Sequence, residues 1–187
     1  YQQGDAFRII YVHVPCAVLS LGIYLAMVIF SGISYIWKIK IADILAKQSA
    51  LIGIWFTFLA LVTGAIWGKA MWGTWWIWDG RLTSELVLFF LYAGVILLRH
   101  AISDSYQASR AASLLSMVGV INLPIIHFSV VWWHTLHQPS TLLGLHKPTI
   151  APEMLMPLLG AILGFCLLAA WMVIQYTRCE LIKTNKV

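Results

Sequence analysis

The chain has 187 residues, of which 61% are hydrophobic and only 10% charged, with a formal net charge of +5 and a mean hydropathy of +0.85. Soluble domains carry about 25% charged residues, so this composition excludes that class and predicts an all-α integral membrane protein, a single domain over residues 1–187. The positive balance is not a nucleic-acid signature: the basic residues fall mainly in short loops, and no basic run interleaved with stacking aromatics occurs outside one tryptophan-rich segment.

The chain opens on YQQGDAFR, a polar stretch without signal-peptide character that begins with Tyr1, and an upstream segment is expected before it. Five apolar runs follow, each long enough for a hydrocarbon core that takes about 20 helical residues to cross. The first covers about Ile9–Tyr35 and is longer than needed, so it tilts, protrudes or bends near Pro15. The second covers Ala50–Ile66, and between the two WKIKIADILAKQ reads as a solvated connector. The third covers Leu82–Leu98, with Glu85 in its first turn, where a carboxylate suits the helix dipole. RHAISDSYQASR is a second connector, and the fourth run, Ala111–Val131, contains Asn122, Pro124 and His127. Pro124 is expected to bend that helix, leaving a carbonyl for Asn122 or water to satisfy. The fifth run is Leu155–Ile174, and none of the runs alternates as a barrel strand does. Cys16, Cys166 and Cys179 offer no plausible pairing, so no disulfide framework is expected.

Loop charges set the sidedness. Lys38, Lys40, Lys47, Arg99, Arg110, Arg178, Lys183 and Lys186 fall on one side, and Arg8, Lys69, Arg81 and Lys147 on the other. The positive-inside rule places the first group in the cytoplasm or matrix. The N-terminus, the Trp-rich segment and the loop over residues 132–153 then share the outer side.

That outer side holds most of the aromatic investment. Trp67, Trp72, Trp75, Trp76 and Trp78 put five of the ten tryptophans within twelve residues, in a loop expected over about 67–83, and Trp132 and Trp133 join them. Indoles suit the membrane–water boundary, with one edge wet and the rest dry. Such residues also serve as belt anchors, but this density favours a platform for a large, flat, apolar ligand. Five of six histidines lie at the same boundary: His13, His127, His134, His137 and His146, with only His100 at the inner end. Two neutral imidazoles beside an indole shelf suit haem, whose porphyrin supplies four equatorial nitrogens and needs only axial groups. His13 and His137 are candidates for those positions. The residues alone leave each equally a hydrogen-bonding boundary group, and His127 or His134, seven apart and on one face if the helix continues, could replace His137. Lys69 and Arg81 bracket the Trp stretch and suit propionates, Arg81 bidentately. Asp79 is expected to organise nearby amides or hold Arg81. There is no C-x-x-C-H for covalent haem attachment and no phosphate-binding G-x-x-x-x-G-K-[ST], so any ATP-driven step belongs to a partner.

The string WGTWWIWDGRLTSELVLFFLYAG resembles the WWD signature of the haem-handling membrane proteins of cytochrome c maturation. With RIIYVHVP, FTFLALVTGAIWGKAMWG, INLPIIHFSVVWW and TLHQPST it is similar to the CcmC family over nearly the whole chain. The resemblance implies that His13 and His137 are axial ligands of a non-covalent haem b, and that Trp72, Trp75, Trp76, Trp78, Asp79 and Arg81 belong to the outer haem-binding loop. It implies six spans, the first absent here. It implies haem delivery for c-type cytochrome biogenesis by presentation to the chaperone CcmE, with the ATP-binding-cassette pair CcmA and CcmB and the small protein CcmD as partners and no enzymatic activity of its own. The location implied is a bacterial inner membrane with the haem site periplasmic, or a mitochondrial inner membrane. A b-type electron-transfer cytochrome and a general small-molecule transporter are the alternatives; the first usually places its histidine pairs inside the bundle, and the second needs broken helices near the midplane, for which Asn122–Pro124 is the one candidate.

Overall fold

A computed structural model describes residues 4–133, 135, 137 and 150–184. Among these the regular structure is entirely helical, and five helices are long and apolar enough to cross a membrane. A 3-10 turn, Gly4–Ile9, leads into α1 (Ile10–Trp37); α2 is Lys40–Trp72 and α3 Gly80–Ala101. The fourth span consists of α4 (Ser105–Gly119) and α5 (Asn122–Trp132), and α6 is Pro152–Thr184.

The connections are shorter than the apolar runs suggest. Lys38 adopts a left-handed conformation (φ 55°), its amide bonds Ser34 O, and α2 restarts two residues later. The expected connector WKIKIADILAKQ is therefore largely helix: Ala42 and Ala46 are buried on one side, Ile44 and Gln48 on nearly the opposite one, and its lysines remain wet or half-wet. At the other end α2 continues through Trp72, stopped by Gly73 in the left-handed region (φ 74°). Only residues 73–79 of the expected 67–83 loop are non-helical, because Asp79 caps α3 by accepting from the Leu82 amide at 2.8 Å.

The fourth span, expected to bend at Pro124, is interrupted at Val120–Ile121 just ahead of it, with a different partner scheme. Pro124 lies in the first turn of α5, and the Val120 carbonyl that its missing N–H would have met accepts from the Leu123 amide at 3.0 Å. Asn122, buried, instead donates to the Ser84 carbonyl of α3 at 2.9 Å. The side chain expected to repair the kink thus ties two helices together.

α1 and α2 form a long hairpin at the centre of the bundle, flanked by α3–α5 on one side and α6 on the other. One core centres on Tyr24 and Tyr92, packed edge-to-face at 5.0 Å among Met27, Leu88 and Ile126. The Tyr92 hydroxyl donates to Ser20 O at 2.8 Å and that of Tyr24 to Ser116 O at 3.3 Å, so neither ring buries an unmet donor. A second core joins Cys16, Ile52 and Phe56 to α6 through Ala169. Glu85, expected in a first turn, occupies the second turn of α3, buried and accepting from Ser20 Oγ at 2.7 Å. At the inner end Arg99 pairs with Asp43 at 2.7 Å, and Ser109 donates to the same oxygen. The three cysteines are unpaired: Cys16 is buried, Cys166 half-buried and Cys179 exposed.

Candidate functional site

The outer end of the bundle brings together residues from α1, α2, the segment before α3 and the segment after α5. His13 lies at the end of the first turn of α1, half-buried against α2. Its Nδ1 is 3.1 Å from Ala60 O and 3.2 Å from Thr63 Oγ1. A carbonyl only accepts, and the Thr63 hydroxyl proton is directed to Leu59 O at 2.6 Å. Nδ1 therefore carries the proton, and Nε2 carries the lone pair. The ring can approach α2 this closely because position 64 is glycine: a Cβ there would stand 2.9 Å from His13 Cε1.

His137, from the other end of the sequence, reaches the same construction by other means. Its Nδ1 is 2.9 Å from Asp79 Oδ2 and 3.0 Å from Thr135 Oγ1. Thr135 donates its hydroxyl proton to Asp79 and accepts from the His137 amide at 3.0 Å. The Nδ1 proton consequently goes to the Asp79 carboxylate, and again Nε2 is left with the lone pair. Among the described residues neither Nε2 has a hydrogen-bond partner. The two rings and the Arg81 guanidinium lie within electrostatic reach of one another.

Each imidazole meets an indole edge-to-face, His13 with Trp67 at 5.7 Å and His137 with Trp72 at 4.8 Å. Trp76 packs edge-on to Trp78 at 5.4 Å, and Thr74 donates to Trp76 O, fixing the short segment. Trp75 and Trp78 are exposed, while Trp67 and Trp76 each bury an indole N–H without a partner among the described residues. Gly80 admits the Trp133 ring, whose Cε3 would lie 2.8 Å from a Cβ at that position.

The charges divide in role. Arg81, in the first turn of α3, is half-buried, and among the described residues its side chain has no hydrogen-bond or ion-pair partner. Lys69 is committed differently: Nζ donates to Gly73 O at 2.8 Å and closes the end of α2. Asp79 does organise the loop, through Leu82, Thr135 and His137. Burial would raise its carboxyl, but the hydrogen bonds from Thr135 and Leu82, with His137 beside it, hold it below the ordinary carboxylate range. Burial lowers His137 below an ordinary imidazole, and Asp79 offsets this only in part.

The remaining histidines separate from the pair. His127 packs on Phe128 at 4.8 Å; α5 ends at Trp132 and Trp133 is extended, so the helix that would have carried His127 and His134 on one face stops short. His134 and His146 lie outside the described residues. His100 at the inner end bonds Ile96 O at 2.8 Å. Sequence reasoning missed Thr63, Gly64 and Thr135; of these only Thr135 carried a signal, a hydroxyl two residues before a histidine in a loop.

Among the described residues this arrangement offers two unprotonated imidazole nitrogens, an indole-lined apolar surround and a guanidinium without a hydrogen-bond partner at one boundary. Among the described residues no group of three or more His, Cys, Asp or Glu could hold a metal ion by itself. The donor set suits a metal that brings its own equatorial ligands.

The family model described as "Heme exporter protein C" matches residues 1–187. The chain is 52% identical over 185 residues to "Heme exporter protein C" of Haemophilus influenzae, covering 99% of this chain and 75% of that protein. It is 54% identical over 178 residues to the protein of the same name from Escherichia coli K12, covering 95% and 71%. A "ccmC-like mitochondrial protein" of cytochrome c biosynthesis from Marchantia polymorpha is 45% identical over 178 residues, covering 95% and 75%.

Proposed function

The chain belongs to the haem exporter protein C family, and from that premise we propose that it holds haem b non-covalently at the outer end of its bundle and delivers it for c-type cytochrome maturation. Haem is cargo in this reading. His13 and His137 supply the axial nitrogens, Arg81 receives a propionate, and Trp72, Trp75, Trp76 and Trp78 flank the porphyrin. Lys69 lends positive charge beside it: one N–H of its ammonium is donated to Gly73 O, and two more are left for a propionate. The exposed indoles Trp75 and Trp78 leave one edge of the site open to a haem chaperone of the CcmE kind. CcmA, CcmB and CcmD are the expected membrane partners, and ATP hydrolysis is theirs. The protein performs no bond-making chemistry of its own here; it positions, shields and releases. The setting is a bacterial inner membrane with the site facing the periplasm; the plant relative makes a mitochondrial inner membrane the other setting.

One observation carries this reading. Two imidazoles 124 residues apart lie at one boundary, each with Nδ1–H engaged by an internal acceptor and Nε2 left as a donor toward a ligand. Outer-shell hydrogen bonds of this kind orient histidines that bind metals. The test is the absorption spectrum of the purified protein with added haem, compared with His13→Ala and His137→Ala. Each variant is expected to lose the six-coordinate low-spin spectrum. Unchanged spectra and haem content in both would refute the assignment.

A further inference from the structure

The hydrogen bonds behind the two imidazoles are not equivalent. Behind His13 stand two neutral oxygens, Ala60 O at 3.1 Å and Thr63 Oγ1 at 3.2 Å. Both are already in use: Ala60 O also accepts from the Thr63 hydroxyl at 3.3 Å, and that hydroxyl bonds Leu59 O as well. Behind His137 stands a carboxylate at 2.9 Å. Asp79 is itself fixed by the Leu82 amide and the Thr135 hydroxyl. Its side chain is 5% exposed, so water competes little for that bond.

Resting on the assignment of both histidines as ligands, we propose that the axial positions have unequal roles: His137, backed by Asp79 and positioned by Thr135, retains haem, and His13 is the ligand that lets go during handover. Asp79 Oδ2 also serves two donors, His137 and Thr135, so the difference lies in charge: a carboxylate accepting the Nδ1 proton increases electron density at Nε2 and strengthens its bond to a metal, whereas a neutral carbonyl does so weakly. Release is then a ligand exchange. The iron–Nε2 bond to His13 breaks with the electron pair staying on the imidazole, and an electron-pair donor side chain of the receiving protein takes the vacated position. Neither an electron nor a proton has to move. Asp79 and Thr135 are positioning residues in this scheme, acting through His137.

The experiment uses the full chain in lipid nanodiscs loaded with haemin, with excess apomyoglobin as haem acceptor. His13→Ala is expected to lose haem about 10–100-fold more slowly than His137→Ala, the range by which outer-shell partners alter metal binding. Adding Asp79→Asn to His13→Ala should close that gap, while adding it to His137→Ala should not alter the loss rate. Asn retains the cap on α3, so the helix is preserved. In the reduced state, the iron–histidine stretching frequency should be higher in His13→Ala than in His137→Ala and should drop on adding Asp79→Asn. A purely structural role for Asp79 would not move that frequency. Thr135→Val in the His13→Ala background removes the second donor on Asp79 Oδ2 and should shift the same frequency, should the Asp79 variant fold poorly. Equal loss rates, or an unmoved frequency in these combined variants, overturn the inference while the ligand assignment stands. Unchanged spectra in both single variants overturn both.

Discussion

Gly64→Ala isolates the placement of His13 from every other property of the site. The new methyl carbon would stand 2.9 Å from His13 Cε1, whereas ordinary contact begins near 3.4 Å. The ring must therefore retreat by about half an ångström, and metal–ligand distances tolerate only about 0.2 Å. Retreat also pulls Nδ1 away from Ala60 O and Thr63 Oγ1, already at 3.1 and 3.2 Å. α2 itself gains, since Ala is favoured over Gly in a helix by about 0.8–1 kcal/mol. The two effects point in opposite directions and are separately measurable. Haem titration followed by absorption should show affinity falling toward that of His13→Ala. Thermal unfolding of the haem-free protein in detergent should show stability unchanged or raised. Wild-type affinity together with a wild-type spectrum would refute the argument that this ring, at this distance from α2, holds the cargo.

Asn122→Ala removes the bond to Ser84 O between α5 and α3 and should cost about 1–2 kcal/mol, read as a lower unfolding midpoint with little change in haem spectrum. Arg99→Gln removes the cation paired with Asp43 at the inner end and leaves Ser109 as its donor. Because Asp43 retains some water contact, with its side chain 28% exposed, the loss should be about 2 kcal/mol rather than that of a fully buried pair. Lowering pH should act on the outer end in two stages, followed by tryptophan fluorescence of the haem-free protein. The folded state holds His137 neutral below the ordinary imidazole value, so stability declines as pH drops below about 6.5 toward the folded value, while Nε2 stays able to bind metal in that window. The Asp79 contribution is present above its unfolded value of about 3.9 and is lost as pH falls through the lower folded one. A fluorescence transition centred at or above pH 7 would contradict this ordering.

The five spans were legible because a bilayer-length apolar run has few alternative readings, and a bend near Pro124 was legible because proline chemistry is local. Helix ends were not. The hydropathy of Lys40–Ser49 averages charged and buried positions, so only the packing of Ala42 and Ala46 against neighbouring helices reveals that α2 begins there. Trp67–Trp72 read as loop for a similar reason, because aromatic density carries no helical period. At the site, residue chemistry identified His13, His137, Arg81 and Asp79 as candidates, but not what stands behind each ring. Ala60 contributes a carbonyl, which every residue has, and Gly64 contributes an absence of atoms. Neither can be read without knowing which helix faces α1. Lys69 shows the converse: its charge suggested a ligand contact, but not that one of its three donors would also close the end of α2 on a backbone oxygen four residues away.

The two-residue turn at Lys38–Ile39 has a mechanical consequence. His13 and the oxygens behind it ride on the same α1–α2 hairpin, whereas His137 is fastened to the start of α3 through Asp79. The paired nitrogens thus sit on separate levers. From His13 to Trp37 the lever is about 36 Å long at 1.5 Å per residue, so pivoting the hairpin by one degree at its inner turn displaces the upper jaw by about 0.6 Å. A grip of this design loosens through a sway far smaller than any helix rearrangement.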